Sequence, residues 1–111
     1  MFDRQVPVRA SLVLVLISAS ACASDATQTR CSTTDDGEYP CTFNITDDKG
    51  SFEISAPGKP TYILNIEETG VAYGFADFGD GTVPLPGRYL RSEDDRACWQ
   101  NDVTETEICA R

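Results

Sequence analysis

The chain contains no histidine, and its 111 residues carry only 9 Lys and Arg against 18 Asp and Glu, a formal net charge of −9. Without imidazole there is no His-based acid/base catalysis, no His-containing triad and no His-ligated metal. Without a basic face there is nothing to hold a phosphate backbone, so no nucleic-acid partner is expected. No Cys-x-x-Cys pair is present, which together with the missing His leaves no zinc ligand set. No apolar run approaches the roughly 20 residues of a spanning helix, so no mature transmembrane helix is expected. No stretch keeps a helical period beyond about two turns. The length allows one domain.

What is present begins with a basic start. MFDRQVPVR holds Arg4 and Arg9 against Asp3, and a short apolar run from Ala10 to about Ile17 fades into small residues. These are the three parts of a secretory signal. Its end, Ala19-Ser20-Ala21-Cys22, resembles the bacterial lipobox. The resemblance implies that residues 1–21 are a lipoprotein signal peptide and that Cys22 is lipidated, its thiol with diacylglycerol and its freed amine with a fatty acid. An ordinary secreted protein is the alternative, because Ala19-x-Ala21 and Ala21-x-Ala23 both suit the general signal peptidase. In the lipoprotein sorting rule Asp after the Cys retains the protein in the inner membrane. Ala23 at that place implies the outer membrane.

Five cysteines, Cys22, Cys31, Cys41, Cys98 and Cys109, are an odd count for an exported chain. Lipidation of Cys22 leaves four, enough for two disulfides. A cut after Ala23 leaves the same four, whereas a cut after Ala21 leaves a stray thiol. The favoured pairing is Cys31–Cys41 with Cys98–Cys109, since both spacings suit a local loop. The rival joins the ends of the domain as Cys41–Cys98 and Cys31–Cys109. Each local loop should contribute roughly 2.5–3 kcal/mol in the chain-entropy model.

Removing residues 1–21 leaves 7 basic and 17 acidic groups, a net of −10. Such a surface repels anionic lipid, so the acyl chains would hold the protein at the membrane. Residues 22–38 are small and polar and read as a lipid-anchored tether, its second half pinned through Cys31.

Residues 39–111 read as a small β domain. Tyr39, Cys41, Phe43 and Ile45 alternate with polar positions, Asp47–Gly50 turns, and 51–55 alternates again, which predicts a hairpin. Tyr62, Leu64 and Ile66, the Glu68–Gly70 loop, and Val71, Tyr73 and Phe75 predict a second hairpin, with Ala72, Gly74 and Ala76 as its bare face. Pro84 and Pro86 limit 83–85 to an edge strand. Residues 87–91 are another strand. Residues 97–100 and 106–109 form a disulfide-closed hairpin with Trp99 near the sulfurs. The expected fold is all-β, a small antiparallel sandwich or barrel of six to seven short strands stapled by two disulfides. Its expected core is Phe43, Ile45, Phe52, Ile54, Tyr62, Leu64, Ile66, Val71, Tyr73, Phe75, Leu90, Trp99 and Ile108.

Little in this chain points to catalysis, a cofactor or a metal. Asp77-Phe78-Gly79 matches the kinase magnesium triplet, but no nucleotide loop accompanies it. Asn44-Ile45-Thr46 has the form of a glycosylation sequon and reads as strand. Asp77 and Asp80 are oxygen donors without EF-hand spacing, and read as a solvated turn, as does Glu93-Asp94-Asp95. Glu67 and Glu68 are neighbours on a strand and point to opposite faces. No Ser has an activating base. Tyr89 and Phe78, if exposed side by side, would form a binding patch.

The resulting expectation is a monomeric, non-catalytic binding or interaction module, lipid-anchored in a bacterial envelope. Small periplasmic lysozyme-inhibitor lipoproteins are similar in size, acidity, lipobox and strand content. That resemblance implies, as the alternative, an inhibitor of a cationic envelope hydrolase. The family's Ser-Gly-x-x-Tyr segment is absent, and Pro86-Gly87-Arg88-Tyr89 is a faint echo of it.

Overall fold

The structure, a computed structural model, describes residues 26–111. The expected signal peptide and Cys22 lie outside the described residues. Nine strands follow one another: β1 Ala26–Thr33, β2 Gly37–Ile45, β3 Phe52–Ser55, β4 Thr61–Glu68, β5 Val71–Asp77, β6 Thr82–Pro84, β7 Tyr89–Arg91, β8 Cys98–Asn101 and β9 Glu107–Ala110. All pairings are antiparallel. Eight strands close a barrel in the order β4-β3-β2-β1-β9-β8-β7-β5, with β5 pairing back to β4. β6 is the ninth. It pairs with the second half of β5, through Phe75–Pro84 to Asp77–Thr82, while β7 takes the first half at Val71 and Ala72. Pro84 stands on this outer edge, where a missing N–H leaves no ladder bond unmade.

The all-β class, the hairpins and both local disulfides are as expected. Cys31 bonds Cys41 and Cys98 bonds Cys109. The first bridge crosses β1 and β2 inside the core, and the second joins directly opposed positions of β8 and β9. By strand alternation the second lies on the face of β8 opposite Trp99.

Three expectations are corrected. The strand count is nine, because β1 is a strand in its own right; the edge strand expected at 83–85 is present as β6. The tether does not extend to residue 38: from Ala26 the chain is already a full-length partner of β2, from Ala26–Asn44 to Thr33–Gly37. Ala-Thr-Gln-Thr-Arg-Cys-Ser-Thr has no apolar alternation to reveal it. Its place is set by backbone bonding on both sides and by the Cys31 bridge. Residues 22–25 lie outside the described residues.

The third correction concerns β5. Ala72, Gly74 and Ala76 face the interior, while Tyr73 is 43% exposed and Val71 and Phe75 are half-buried. The small face points inward because Tyr89 and Leu85 fill the space beside it. Ile45 and Leu90 also stand at the surface, and Tyr39, Tyr89 and the cystines Cys31 and Cys41 join the core instead. Phe52, Ile54, Tyr62, Leu64, Trp99 and Ile108 are buried as expected, with Phe43 and Ile66 packed against them.

Candidate functional site

One end of the barrel is a mouth of about 280 Å³, lined by Phe43, Ile45, Lys49, Gly50, Phe52, Ile66, Arg91, Arg96, Ala97, Trp99 and Ala110. Four of these eleven occupy a terminal position of their strand at this end of the barrel: Ile45 ends β2, Phe52 opens β3, Arg91 ends β7 and Ala110 ends β9. Period-two alternation therefore aims apolar side chains and one guanidinium at the same opening. Phe43 stacks on Phe52 with centroids 5.0 Å apart, and Phe52 tilts against Trp99 at 6.4 Å.

The rim is cationic. The Arg91 guanidinium lies 5.3 Å over the Trp99 ring, and its Nε donates to the Arg96 carbonyl at 2.8 Å. The Arg91 amide donates to the Gly70 carbonyl at 3.0 Å, so the residue is held from both ends. Lys49 projects from a turn built by Asp47, whose Oδ1 accepts the Lys49 and Ser51 amides at 2.9 and 3.0 Å. Hydrogen bonds from Ser51, its hydroxyl first, hold the Asp47 carboxyl below the usual range. The buried Ser51 Oγ also accepts the Ile66 amide at 2.8 Å, tying β4 to this turn.

Among the described residues, the ion pairs are Arg30–Glu38, Arg88–Asp102 and Arg111–Asp95. None involves Lys49, Arg91 or Arg96. Lys59 sits 5.3 Å over the Tyr39 ring. Among the described residues the three cations at the mouth thus make no ion pair, in a chain where acids outnumber bases two to one, although the charge of Lys49 reaches the Asp47 carboxylate. An adjoining groove of about 350 Å³ shares Lys49, Ile66, Arg91 and Trp99 and carries one carboxylate, Glu68.

The opposite end holds a smaller cleft of about 180 Å³ with a different chemistry. Thr33 Oγ1 donates to Asp36 Oδ2 at 2.9 Å and the Tyr62 hydroxyl donates to the same oxygen at 3.1 Å. The buried Tyr39 hydroxyl has no hydrogen-bond partner among the described residues. Burial first, then the Asp36 charge, pushes both phenols above their ordinary value. Both stay protonated, and Tyr62 is the one that donates.

The residues singled out in the sequence fall as follows. Phe78 is 62% exposed, but Tyr89 is inside the core, so no patch of two exposed rings forms. Of Pro86–Tyr89, Tyr89 takes no part in the surface and Arg88 is held by Asp102, Nε to Oδ2 at 2.9 Å. Asp77 Oδ1 accepts the Gly79 amide at 2.8 Å and shapes its own turn. Ser92 Oγ accepts the amides of Asp94 and Asp95, and Asp95 pairs with Arg111 at 2.7 Å. Glu67 and Glu68 do not simply alternate, because a register shift between Ile66 and Glu68 leaves both exposed. Among the described residues, the grouping closest to a metal set is Cys98, Glu107 and Cys109, whose sulfurs are joined and offer no thiolate.

Sequence reasoning missed Lys49, Arg91 and Arg96. They lie on a turn, a strand end and a charged loop; the β7–β8 connection brings Arg91 to Arg96, and only barrel closure brings Lys49 to them. The one available signal was Arg91 at an inward position two residues after Tyr89. No protein-family model matches the chain, and no curated protein and no solved structure matches it either.

Proposed function

We propose that this protein is a lipid-anchored, non-catalytic binding module of the bacterial cell envelope, with the cation-rimmed mouth as its binding site. The observation that carries the binding reading is the placing of Lys49, Arg91 and Arg96, unpaired, around the ring system of Trp99, Phe52 and Phe43. Unpaired cations over an apolar floor are suited to an anionic guest. The anchor reading rests on the signal segment ending at Cys22, and places the monomer at the outer membrane. The intact mass of the mature protein from a bacterial host, before and after reduction, tests it. The expected species starts at Cys22 with diacylglycerol and acyl groups and gains four hydrogens on reduction. An unmodified start at Ser24 would overturn the anchor.

A second reading is inhibition of a cationic envelope hydrolase. It is favoured by Phe78, an exposed ring at the far end of the barrel that follows Asp77 and precedes Asp80 in the chain, and that shares a groove with Asp77 and Lys59. A lysozyme inhibition assay tests it. No inhibition at stoichiometric excess would set it aside.

A further inference from the structure

The mouth and the start of the described chain lie at the same end of the barrel. Ala26 pairs with Asn44, and the next residue of β2, Ile45, lines the mouth. Cys22 is four residues before Ala26. A span of four extended residues covers at most about 14 Å. An acyl group on Cys22 therefore holds this end of the barrel at the bilayer, and the other end away from it.

We infer that the mouth binds an anionic single-chain amphiphile from that membrane. Its carboxylate or phosphate head sits among Lys49, Arg91 and Arg96, and its first methylenes lie on Trp99, Phe52 and Ile66. The inference rests on the anchored-module reading and adds the class of ligand. Three features select it. The lining of the mouth holds three cations and no carboxylate, with Asp47 and Glu68 just outside it, although the chain as a whole is acidic. The floor is aromatic and aliphatic, so a bare anion leaves it wet. The opening of about 280 Å³, in a barrel whose interior is filled by side chains, admits one chain and not two. Arg91 exchanges its contact with Trp99 for a charge-assisted hydrogen bond to the head, which is the stronger of the two.

Trp99 is the sole tryptophan, so its fluorescence reports on the mouth directly. The titration uses the full chain carrying Cys22→Ser, exported and oxidised, which stays out of the membrane. The probes are octyl phosphate below its micelle concentration, octyl glucoside and inorganic phosphate. Octyl phosphate is expected to give a saturable change in Trp99 emission. Octyl glucoside should bind at least about tenfold more weakly, and phosphate alone should give no change. Arg91→Gln with Lys49→Gln, and separately Arg96→Gln, should weaken octyl phosphate, the double variant by about tenfold or more. An unchanged urea midpoint shows that each variant is folded. Equal binding of octyl glucoside, equal affinity in the charge variants, or no saturable change would overturn the inference. Failure of the anchor is read separately, from the mass of the wild-type chain. An unmodified start with the titration intact would remove the membrane source and leave the ligand class standing.

Discussion

The ring of Tyr89 occupies the space that a side chain on Gly74 would need. A Cβ built on Gly74 would stand 2.5 Å from Tyr89 Cε2 and 2.9 Å from Cδ2, with Leu85 Cδ1 at 3.3 Å. The bare face of β5 is thus half of a contact whose other half arrives fifteen residues later in the chain. Tyr89 is 3% exposed there and joins the core cluster.

Gly74→Ala should therefore destabilise the barrel by about 1–3 kcal/mol, since an inserted methyl in a filled core forces displacement of its neighbours. Urea unfolding followed by Trp99 emission measures it. Ala76→Gly, on the same inward face, creates space instead of a collision and should cost less. Equal midpoints for Gly74→Ala and wild type would show that Tyr89 is not held in that position.

Each disulfide closes a short loop, with sequence separations of 10 and 11. The double replacements Cys31→Ala/Cys41→Ala and Cys98→Ala/Cys109→Ala should each lower stability by roughly 2.5–3 kcal/mol. The first should cost more, because Cys31 and Cys41 lie within the core cluster and their loss also leaves a void. Losing both bridges removes roughly 5–6 kcal/mol on the same model, about the whole stability of a marginal domain, so full reduction should unfold it.

Asn101 ties two loops together. Its Nδ2 donates to the Pro86 carbonyl at 2.7 Å, and its Oδ1 accepts the amides of Val103 and Thr104 at 2.8 and 2.9 Å. The side chain is 1% exposed. Asn101→Ala should cost roughly 1–3 kcal/mol through unsatisfied polar groups. Amide exchange should accelerate at Val103 and Thr104 in particular. Unchanged protection there would show that those amides have other acceptors.

Stability should fall at both ends of the pH scale. Asp95 is held below the usual carboxylate value by Arg111 first and then the Ala97 amide, and Asp102 by the Arg88 amide and then its guanidinium. With Asp47, these groups bind fewer protons folded than unfolded. Their contribution is present above the unfolded value of about 3.9 and is lost as pH drops below it. Tyr39 and Tyr62 are shifted the other way, raised by burial and by Asp36. Their contribution is full below the unfolded phenol value of about 10 and is lost as pH rises past it. Tyr62→Phe should flatten the alkaline limb of the urea midpoint and leave the acid limb unchanged. An alkaline limb as steep as in wild type would assign it to other groups.

Much of the fold was legible because strands announce themselves when one face is apolar. Tyr62, Leu64 and Ile66 alternate cleanly, and they face the core or its edge. β1 was not legible for the opposite reason: its side chains are polar, and its position comes from ladder bonds to β2 and β9 that no periodicity records. β5 misled because both of its faces are non-polar, and size favoured the wrong one. Which face turns inward depended on Tyr89 and Leu85, residues of a later loop and strand.

The candidate site was less legible than the fold. Trp99 read as core, which it is, but its role as the floor of an opening depends on where β8 begins. Lys49, Arg91 and Arg96 are ordinary surface cations in the sequence, separated by up to 47 positions.

The sequence by itself determined what is local: an all-β chain, hairpins at Asp47–Gly50 and Glu68–Gly70, and a favoured local pairing for Cys31 with Cys41 and Cys98 with Cys109. These follow from side-chain period, turn chemistry and counting, which need no knowledge of distant residues. The tertiary structure decided what is not local. It selected the barrel over the sandwich, drew β1 into the wall, turned the small face of β5 inward and set three unpaired cations around one tryptophan. The physical reason is that closure joins β1 to β9 and β5 to β7, and which faces such pairs bury is fixed by the volume left inside, not by any one strand's pattern.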